Sequence, residues 1–188
     1  QLHFTSDKRY GGGIVFGHNS NGIELSNLYM DSNLTSRYNE DAQYKAISGT
    51  LGKDSKIHDI WVQHFEVGMW IGDYDQTGNM KYTDGLVVEN ARIRNNLADG
   101  INFAQGTKNS TVKNSNIRGN GDDGLAIWSS ISNGTNAAAE ENNKFLNNTI
   151  ESGWRAAGIG IFGGKGHEIS GNLIKDVFAG AGIRSEEH

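Results

Sequence analysis

The stretches RIRNNLADGINFA (residues 92–104) and NIRGNGDDGLAIW (residues 116–128) carry the pattern that decides the fold. Aligned at an offset of 24 residues, they place isoleucine on isoleucine and Asp99-Gly100 on Asp123-Gly124. The same phrase recurs on either side, and its glycine falls at 68, 100, 124, 158 and 182. The spacings of 32, 24, 34 and 24 indicate a 24-residue unit interrupted by insertions of about eight to ten residues.

Each unit also repeats two apolar positions and one polar position. The first apolar position is Ile57, Val88, Val112, Phe145 and Ile169, and the second is Val62, Ile93, Ile117, Ile150 and Ile174. The polar position between them is Asp59, Asn90, Asn114, Asn147 and Gly171. These short apolar pieces alternate with period two and show no helical stripe, which predicts three short strands per unit. We therefore predict an all-β, right-handed parallel β-helix whose coils lie about 4.8 Å apart. The asparagines should form a turn ladder in which side-chain amides bond to those above and below.

The pattern is weaker near the start of the chain. Gly13-Ile14-Val15-Phe16 resembles the end of a coil, and Leu25, Asn27 and Met30 resemble the start of the next. We predict a single β-helix domain over 1–188, incomplete at its ends and part of a longer catalytic domain. A long loop is expected at about 31–45 and an insertion at about 130–141.

Composition excludes several functions. The chain of 188 residues carries 17 basic and 22 acidic residues, a net charge of −5, which argues against binding to nucleic acid or an anionic membrane. No apolar run approaches the ~20 residues that span a bilayer. The absence of cysteine excludes disulfides, zinc-thiolate sites and thiol catalysis. We expect a monomer.

Three aspartates converge in the repeat. Asp99 and Asp123 each precede the repeated glycine and are one coil apart in one column, and Asp122 lies beside Asp123. Strict alternation would point Asp99 and Asp123 into the core, where unpaired like charges are costly. We therefore infer that the glycine bends the strand and turns them outward. Paired carboxyl groups suit glycoside hydrolysis, in which one donates a proton and another activates water. A polar Asp-Gly turn repeated by chance is the structural alternative.

The outward columns next to these acids suggest a groove. One column contains Trp70, Asn102 and Arg184 beside Ala126 and Gly160, and the column two residues further on contains Trp128 and Phe162 beside Gly72 and Ala104. Either tryptophan could stack on a sugar ring or pack beneath a loop. Asp73 and Gln105 share the next outward column and could bond to sugar hydroxyls. The acidic Asn39-Glu40-Asp41 offers ligands for a structural calcium but lacks EF-hand spacing, so we predict no metal site and no cofactor.

Longer motifs carry a family resemblance. IHDIWVQHFEVGMWIGDY (57–74), RIRNNLADGINFAQGT (92–107), RGNGDDGLAIWSS (118–130) and WRAAGIGIFGGKGH (154–167) resemble the α-1,3-glucanases of glycoside hydrolase family 87. The resemblance implies a right-handed β-helix and a secreted, inverting endo-enzyme acting on α-1,3-linked glucan. It also implies that Asp122 is the general acid and that Asp99 and Asp123 hold and deprotonate water. Inversion predicts an Asp122-to-base separation of roughly 6.5–9.5 Å.

Two other classes of β-helix protein remain open. A polysaccharide lyase for acidic sugars would need a basic groove or a calcium cluster, whereas here only Arg184 lies in a groove column. A non-catalytic carbohydrate-binding β-helix would have no need of three clustered aspartates. The sequence does not distinguish mutan from nigeran as substrate.

Overall fold

A computed structural model describes residues 1–4, 10–18, 20–33, 43–72, 81–129 and 138–186. These residues form a right-handed parallel β-helix of three parallel sheets, which confirms the predicted fold. Successive coils contribute one strand to each sheet in turn. Among the described ranges, no helix is long and apolar enough to cross a membrane.

The strands are short, and each sheet takes every third strand along the chain. Sheet A consists of β1 (Leu2–His3), β4 (Tyr29–Asp31), β7 (Trp61–Gln63), β10 (Arg92–Arg94), β13 (Asn116–Arg118), β16 (Thr149–Glu151) and β19 (Leu173–Lys175). Sheet B consists of β2 (Tyr10–Phe16), β5 (Gln43–Gly49), β8 (Val67–Ile71), β11 (Ile101–Ala104), β14 (Leu125–Trp128), β17 (Ile159–Phe162) and β20 (Ile183–Glu186). Sheet C consists of β3 (Glu24–Ser26), β6 (Lys56–His58), β9 (Val87–Glu89), β12 (Thr111–Lys113), β15 (Lys144–Leu146) and β18 (Glu168–Ser170).

The strand register confirms the predicted apolar columns. In sheet C, Ile57, Val88, Val112, Phe145 and Ile169 pair in sequence. In sheet A, Val62, Ile93, Ile117, Ile150 and Ile174 pair in the same way. Both columns point into the core, which they fill together with the inward residues of sheet B.

The predicted asparagine ladder is correct in position, but its bonding is only partly as predicted. Asp59, Asn90, Asn114 and Asn147 all adopt positive φ, between 52° and 55°, a conformation that asparagine and aspartate tolerate better than most residues. Within the described part of this column, Asn90 donates to Asp59 Oδ1 (3.3 Å), whereas Asn114 donates to Glu89 (3.5 Å). Turn geometry is the feature that all four members of the column share. Amide bonds between successive coils also occur in other turns, both buried, where Asn96 Nδ2 donates to Asn120 Oδ1 (2.9 Å), and exposed, where Asn142 Nδ2 donates to Asn109 Oδ1 (3.2 Å).

The first coils extend further than the sequence indicated. Ile14 pairs with Ile47 and Ile47 with Met69, so Gly13 lies in the repeated glycine column. The predicted loop at 31–45 is too long, because β4 includes Asp31 and β5 begins at Gln43. Buried Tyr44 and Ala46 flank Lys45, which gives β5 the alternation of a strand. Residues 34–42 and most of the predicted insertion, 130–137, lie outside the described residues.

The repeated glycine is required by close packing. A Cβ atom at Gly68, Gly100, Gly124 or Gly158 would lie only 2.5–2.8 Å from the Cγ2 atom of the facing isoleucine of sheet A. These glycines therefore face the core, as do the residues that follow them, such as Ile101 and Leu125. Two successive inward positions break the alternation of the strand, and this break determines where the preceding residue points.

Candidate active site

The break at the glycine turns Asp99 and Asp123 away from the core. Asp99 accepts a hydrogen bond from Asn102, which points outward from β11, and Asp123 Oδ2 lies against the outer side of Gly160. The inferred outward direction is therefore correct. Both residues are nevertheless recessed, with only 8% and 6% of their surface exposed.

Asp122 completes a compact carboxylate cluster. One oxygen from each of Asp99, Asp122 and Asp123 lies within 4.8 Å of the others. The Asp122 side chain is 43% exposed, far more than its two neighbours. These closest oxygens lie nearer to one another than the ~6.5–9.5 Å expected between the carboxyl groups of an inverting pair. The backbone N–H of Asp123 donates to Asp99, which holds the two recessed residues together.

Specific hydrogen bonds hold the two recessed carboxylates. Asp99 Oδ1 accepts from the backbone N–H of Asp123 (3.1 Å), and its Oδ2 accepts from Asn102 Nδ2 (2.8 Å). Asp123 Oδ1 accepts from the backbone N–H of Ala157 (2.8 Å), in the next coil. Asn102 Oδ1 is buried without a protein partner among the described residues, so it can accept from a water or a sugar hydroxyl.

Burial and mutual repulsion shift the ionisation of this pair. Burial, together with the charge of Asp122, raises the pKa of Asp99 to about 7. Burial raises the pKa of Asp123 to about 6, against the hydrogen bond from Ala157. Such values suit a group that exchanges protons near neutral pH.

The raised pKa of Asp99 predicts a pH-dependent cost in stability. In the unfolded chain its pKa is near 3.8, so the folded form binds the proton more tightly, and stability falls as the pH rises from about 4 to 7. Asp99→Asn removes the titrating carboxyl group, so the variant should not lose stability over this pH range. We expect the variant to be more stable than the wild type by about 2–4 kcal/mol at pH 8, with no advantage at pH 4, as measured by chemical denaturation.

The exposed Asp176 provides a matched control for this measurement. Its positive φ of 54° accepts asparagine, so Asp176→Asn changes charge without disturbing the cluster. A pH-independent difference between Asp99→Asn and the wild type would contradict the prediction.

Aromatic side chains form the walls of the cleft. A cleft of about 540 Å³ is lined by Trp70, Asp99, Asn102, Asp122, Asp123, Trp128 and Phe162. Trp70 and Trp128 meet edge to face, with ring centroids 5.5 Å apart. Ala126 and Gly160 are neighbours in the outward column of the coils that carry Trp128 and Phe162, and a side chain at Gly160 would meet Asp123 Oδ2. These small residues leave a trough above the acids.

The described structure does not place three of the predicted binding residues in the lining of the cleft. Gln105 is only 2% exposed, and its Oε1 accepts from Trp70 Nε1 (3.3 Å), so it fixes the indole and does not reach a sugar as predicted. Arg184 is exposed at the end of the trough, paired with Glu186, and its charge lowers the pKa of Asp123. Asp73 lies outside the described residues.

Charged side chains that the sequence did not single out as candidates also border the cluster. Lys45 Nζ pairs with Glu66 (3.1 Å) and lies 5.6 Å from the centre of the Trp70 ring. Burial raises the pKa of Glu66, and Asp122 adds to the effect. Arg155 pairs with Asp122 from the opposite side (3.3 Å). Lys45 was missed because it was assigned to a loop, and Arg155 because its turn does not follow the repeat.

Two larger grooves, of about 690 and 760 Å³, lie away from the aspartates. The first is lined by Lys53, Lys81, Tyr82 and Lys108 among others, and the second by Tyr29, Trp61 and Arg92 among others. Within the described residues, the convergent carboxylates occur in the smaller cleft. Chemistry, not size, therefore marks that cleft as the candidate active site.

Comparison with known proteins agrees with this geometry. The family described as alpha-1,3-glucanase catalytic domain D2 matches residues 6–185. The chain belongs to this glucanase family. The crystal structure of the Agl-KA catalytic domain is 58% identical, with a TM-score of 0.80 over 86% of this chain and 28% of that one. The catalytic unit of a thermostable family 87 α-1,3-glucanase from Streptomyces thermodiastaticus strain HF3-3 is 34% identical, with a TM-score of 0.68 and the same coverage.

A more distant structure shares the fold of the D2 family domain. It is a family 87 α-1,3-glucanase catalytic domain solved with tetrasaccharides, 19% identical, with a TM-score of 0.65 over 91% of this chain and 29% of that one. A search of curated protein sequences finds no match. This chain spans about 28% of the length of the first two solved structures named above.

Proposed function

We propose that this chain carries the catalytic centre of an endo-acting α-1,3-glucanase that hydrolyses its substrate with inversion. The observation that supports this most directly is the cluster of one exposed and two recessed aspartates in a cleft that Trp70, Trp128 and Phe162 also line. Aromatic walls suit the apolar faces of sugar rings, and paired carboxyl groups suit acid–base chemistry. Secretion and a monomeric state stay predictions from the sequence.

The burial of each carboxyl group suggests its role. Asp122 is exposed enough to reach the glycosidic oxygen, so it would donate the proton to the leaving sugar. Asp99 and Asp123 lie deeper and would hold a water between them and the anomeric carbon. That water attacks the carbon, the glycosidic C–O bond breaks, and the recessed pair takes the water's proton.

The recessed pair also favours inversion over a covalent intermediate. Both oxygens of Asp99 already accept hydrogen bonds, so this carboxylate is poorly placed to attack carbon. Asp123 Oδ1 accepts a hydrogen bond from the backbone N–H of Ala157, and its Oδ2 lies at the bottom of the trough, beside Gly160. An intervening water bridges the gap between these recessed oxygens and a sugar ring in the trough.

Hydrolysis of neutral α-1,3-glucan tests the proposal against its rivals. We expect new reducing ends from insoluble α-1,3-glucan and no absorbance from an unsaturated product, which a lyase would generate. The three oxygens are also close enough to hold a metal ion, so the assay is repeated with EDTA. Unchanged activity is expected, because the proposed chemistry needs no metal. Binding of glucan without any cleavage would instead identify a non-catalytic carbohydrate-binding protein.

Inversion predicts the anomer of the first product. Attack by water from the face opposite the α linkage should first release the β-anomer. Proton NMR during the first minutes of the reaction, before mutarotation, would show the β signal growing ahead of the α signal. If the α-anomer appears first, one aspartate acts as a nucleophile and the roles assigned to the recessed pair are wrong.

A further inference from the structure

The turn between β16 and β17 places a cation directly on the exposed aspartate. Arg155 Nη2 lies 3.3 Å from Asp122 Oδ2, and the two side chains are 50% and 43% exposed. The contact is thus partly open to solvent, and it involves the carboxyl group that is best placed to reach the substrate.

Backbone and aromatic contacts fix the position of this arginine. The N–H of Trp154 donates to the carbonyl of Asn120 (3.3 Å), and Gly153 accepts from the N–H of Phe178 (2.9 Å), so the turn is tied to the coils on both sides. The indole of Trp154 lies over Gly121, where a side chain would collide with it. The Arg155 guanidinium lies 5.7 Å from the centre of that indole, close enough for a cation–π contact.

Other charges around Asp122 lie on several neighbouring elements. Asp99 precedes β11, Asp123 is the next residue, and Glu66 precedes β8, where it is paired with Lys45 of β5. Arg184 and Glu186 of β20 pair with each other and act on Asp123. Among the described residues, Arg155 is the cation that forms an ion pair with Asp122 itself.

We propose that Arg155 is a positioning residue that orients Asp122 and offsets the repulsion among the three carboxyl groups of the cluster. A guanidinium in contact favours the ionised form of a carboxyl group, whereas the carboxylates on the other side favour the protonated form. Arg155 therefore offsets the repulsion within the cluster and sets the pH range in which the cluster works. This inference rests on the proposed function.

The expected signature is a pH-dependent effect of removing the charge. Arg155→Gln in the full-length protein should leave the repulsion within the cluster uncompensated, so that the pH dependence of catalysis changes. The ratio of variant to wild-type kcat/KM on α-1,3-glucan should then rise by about two- to fivefold from the acidic to the alkaline side of the optimum. This size corresponds to the modest strength of a half-exposed ion pair. The parameter kcat/KM is suitable because it reports ionisation in the free enzyme, in which the ion pair exists.

Two matched variants separate charge from structure. Arg155→Lys retains the cation, so its ratio to the wild type should stay flat with pH even if the rate falls through poorer orientation. Arg118→Gln removes an arginine paired with Glu151 on sheet A, away from the cleft, and should leave the pH profile unchanged.

The outcomes distinguish this inference from the proposed function. A wild-type protein that does not hydrolyse α-1,3-glucan overturns the proposed function. If the wild type hydrolyses α-1,3-glucan but the ratio of Arg155→Gln to wild-type kcat/KM is uniformly lowered or unchanged across the pH range, only the role of Arg155 is overturned. A ratio that also rises with pH for Arg155→Lys would show that orientation, not charge, is responsible, and would overturn the electrostatic part of the proposal.

Discussion

Asp99→Asn, Asp122→Asn and Asp123→Asn are each expected to lower kcat on α-1,3-glucan by about 100-fold or more. Asparagine has nearly the same shape as aspartate, but it neither donates a proton as an acid nor accepts one as a base. The effect should be similar in size when two of the three are combined, because groups that act as a unit are strongly non-additive. Reducing-end release under substrate saturation measures kcat directly.

Structural controls accompany these measurements. The β-sheet circular dichroism of each variant should match that of the wild type, and Asp176→Asn should leave kcat unchanged. A variant with near wild-type kcat would remove its residue from the mechanism. If only Asp122→Asn were inactive, the recessed pair would have a structural role, and the source of the attacking water would have to be sought elsewhere.

Gly124→Ala is expected to destabilise the fold by about 2–4 kcal/mol, although it adds a single methyl group. That carbon would lie 2.6 Å from Ile150 Cγ2 and 2.6 Å from the backbone oxygen of Gly158. Both contacts join Gly124 to the next coil, so relieving them pushes the two coils apart. This movement strains the hydrogen bond from the Gly124 N–H to the Ala157 carbonyl. Thermal unfolding should show a drop in Tm of roughly 5–10 °C, together with reduced activity from displacement of Asp123.

Gly17 offers a control outside the column. It is exposed, and a Cβ atom there would have no other atom within 4 Å. Gly17→Ala should therefore change stability by less than about 0.5 kcal/mol. Equal losses at positions 124 and 17 would show that backbone flexibility, not close packing, explains the effect at Gly124.

The parts of the structure that depend on repetition were predictable from the sequence. A 24-residue period aligned the columns of Val112 and Ile117 with their neighbours in other coils, and the register of the strands confirms both. The same alignment brought Asp99 and Asp123 together. Their outward direction followed from the cost of burying like charges, because the glycine break cannot be seen in the alternation alone.

The parts that the sequence did not predict depend on details that do not repeat. Gln105 occupies an outward column, yet its positive φ of 44° turns the chain and buries the side chain beneath Trp70. Arg155 lies in a turn between repeats, where no periodicity indicates which way the side chain points. The asparagine turns were correctly placed, and the left-handed backbone that they share favours asparagine even where the side chain does not bond along the column.

The glycine column has a consequence for how a catalytic site can arise on this fold. In five consecutive coils, the residue before the glycine is Val67, Asp99, Asp123, Ala157 and Ala181. From Gly68 to Gly158, each glycine N–H donates the same hydrogen bond to the carbonyl before the next glycine. The backbone therefore offers equivalent positions about 4.8 Å apart along the axis. Which of them bear acids is decided by side-chain identity, so a few substitutions, with no new loop, are enough to place carboxylates one coil further along.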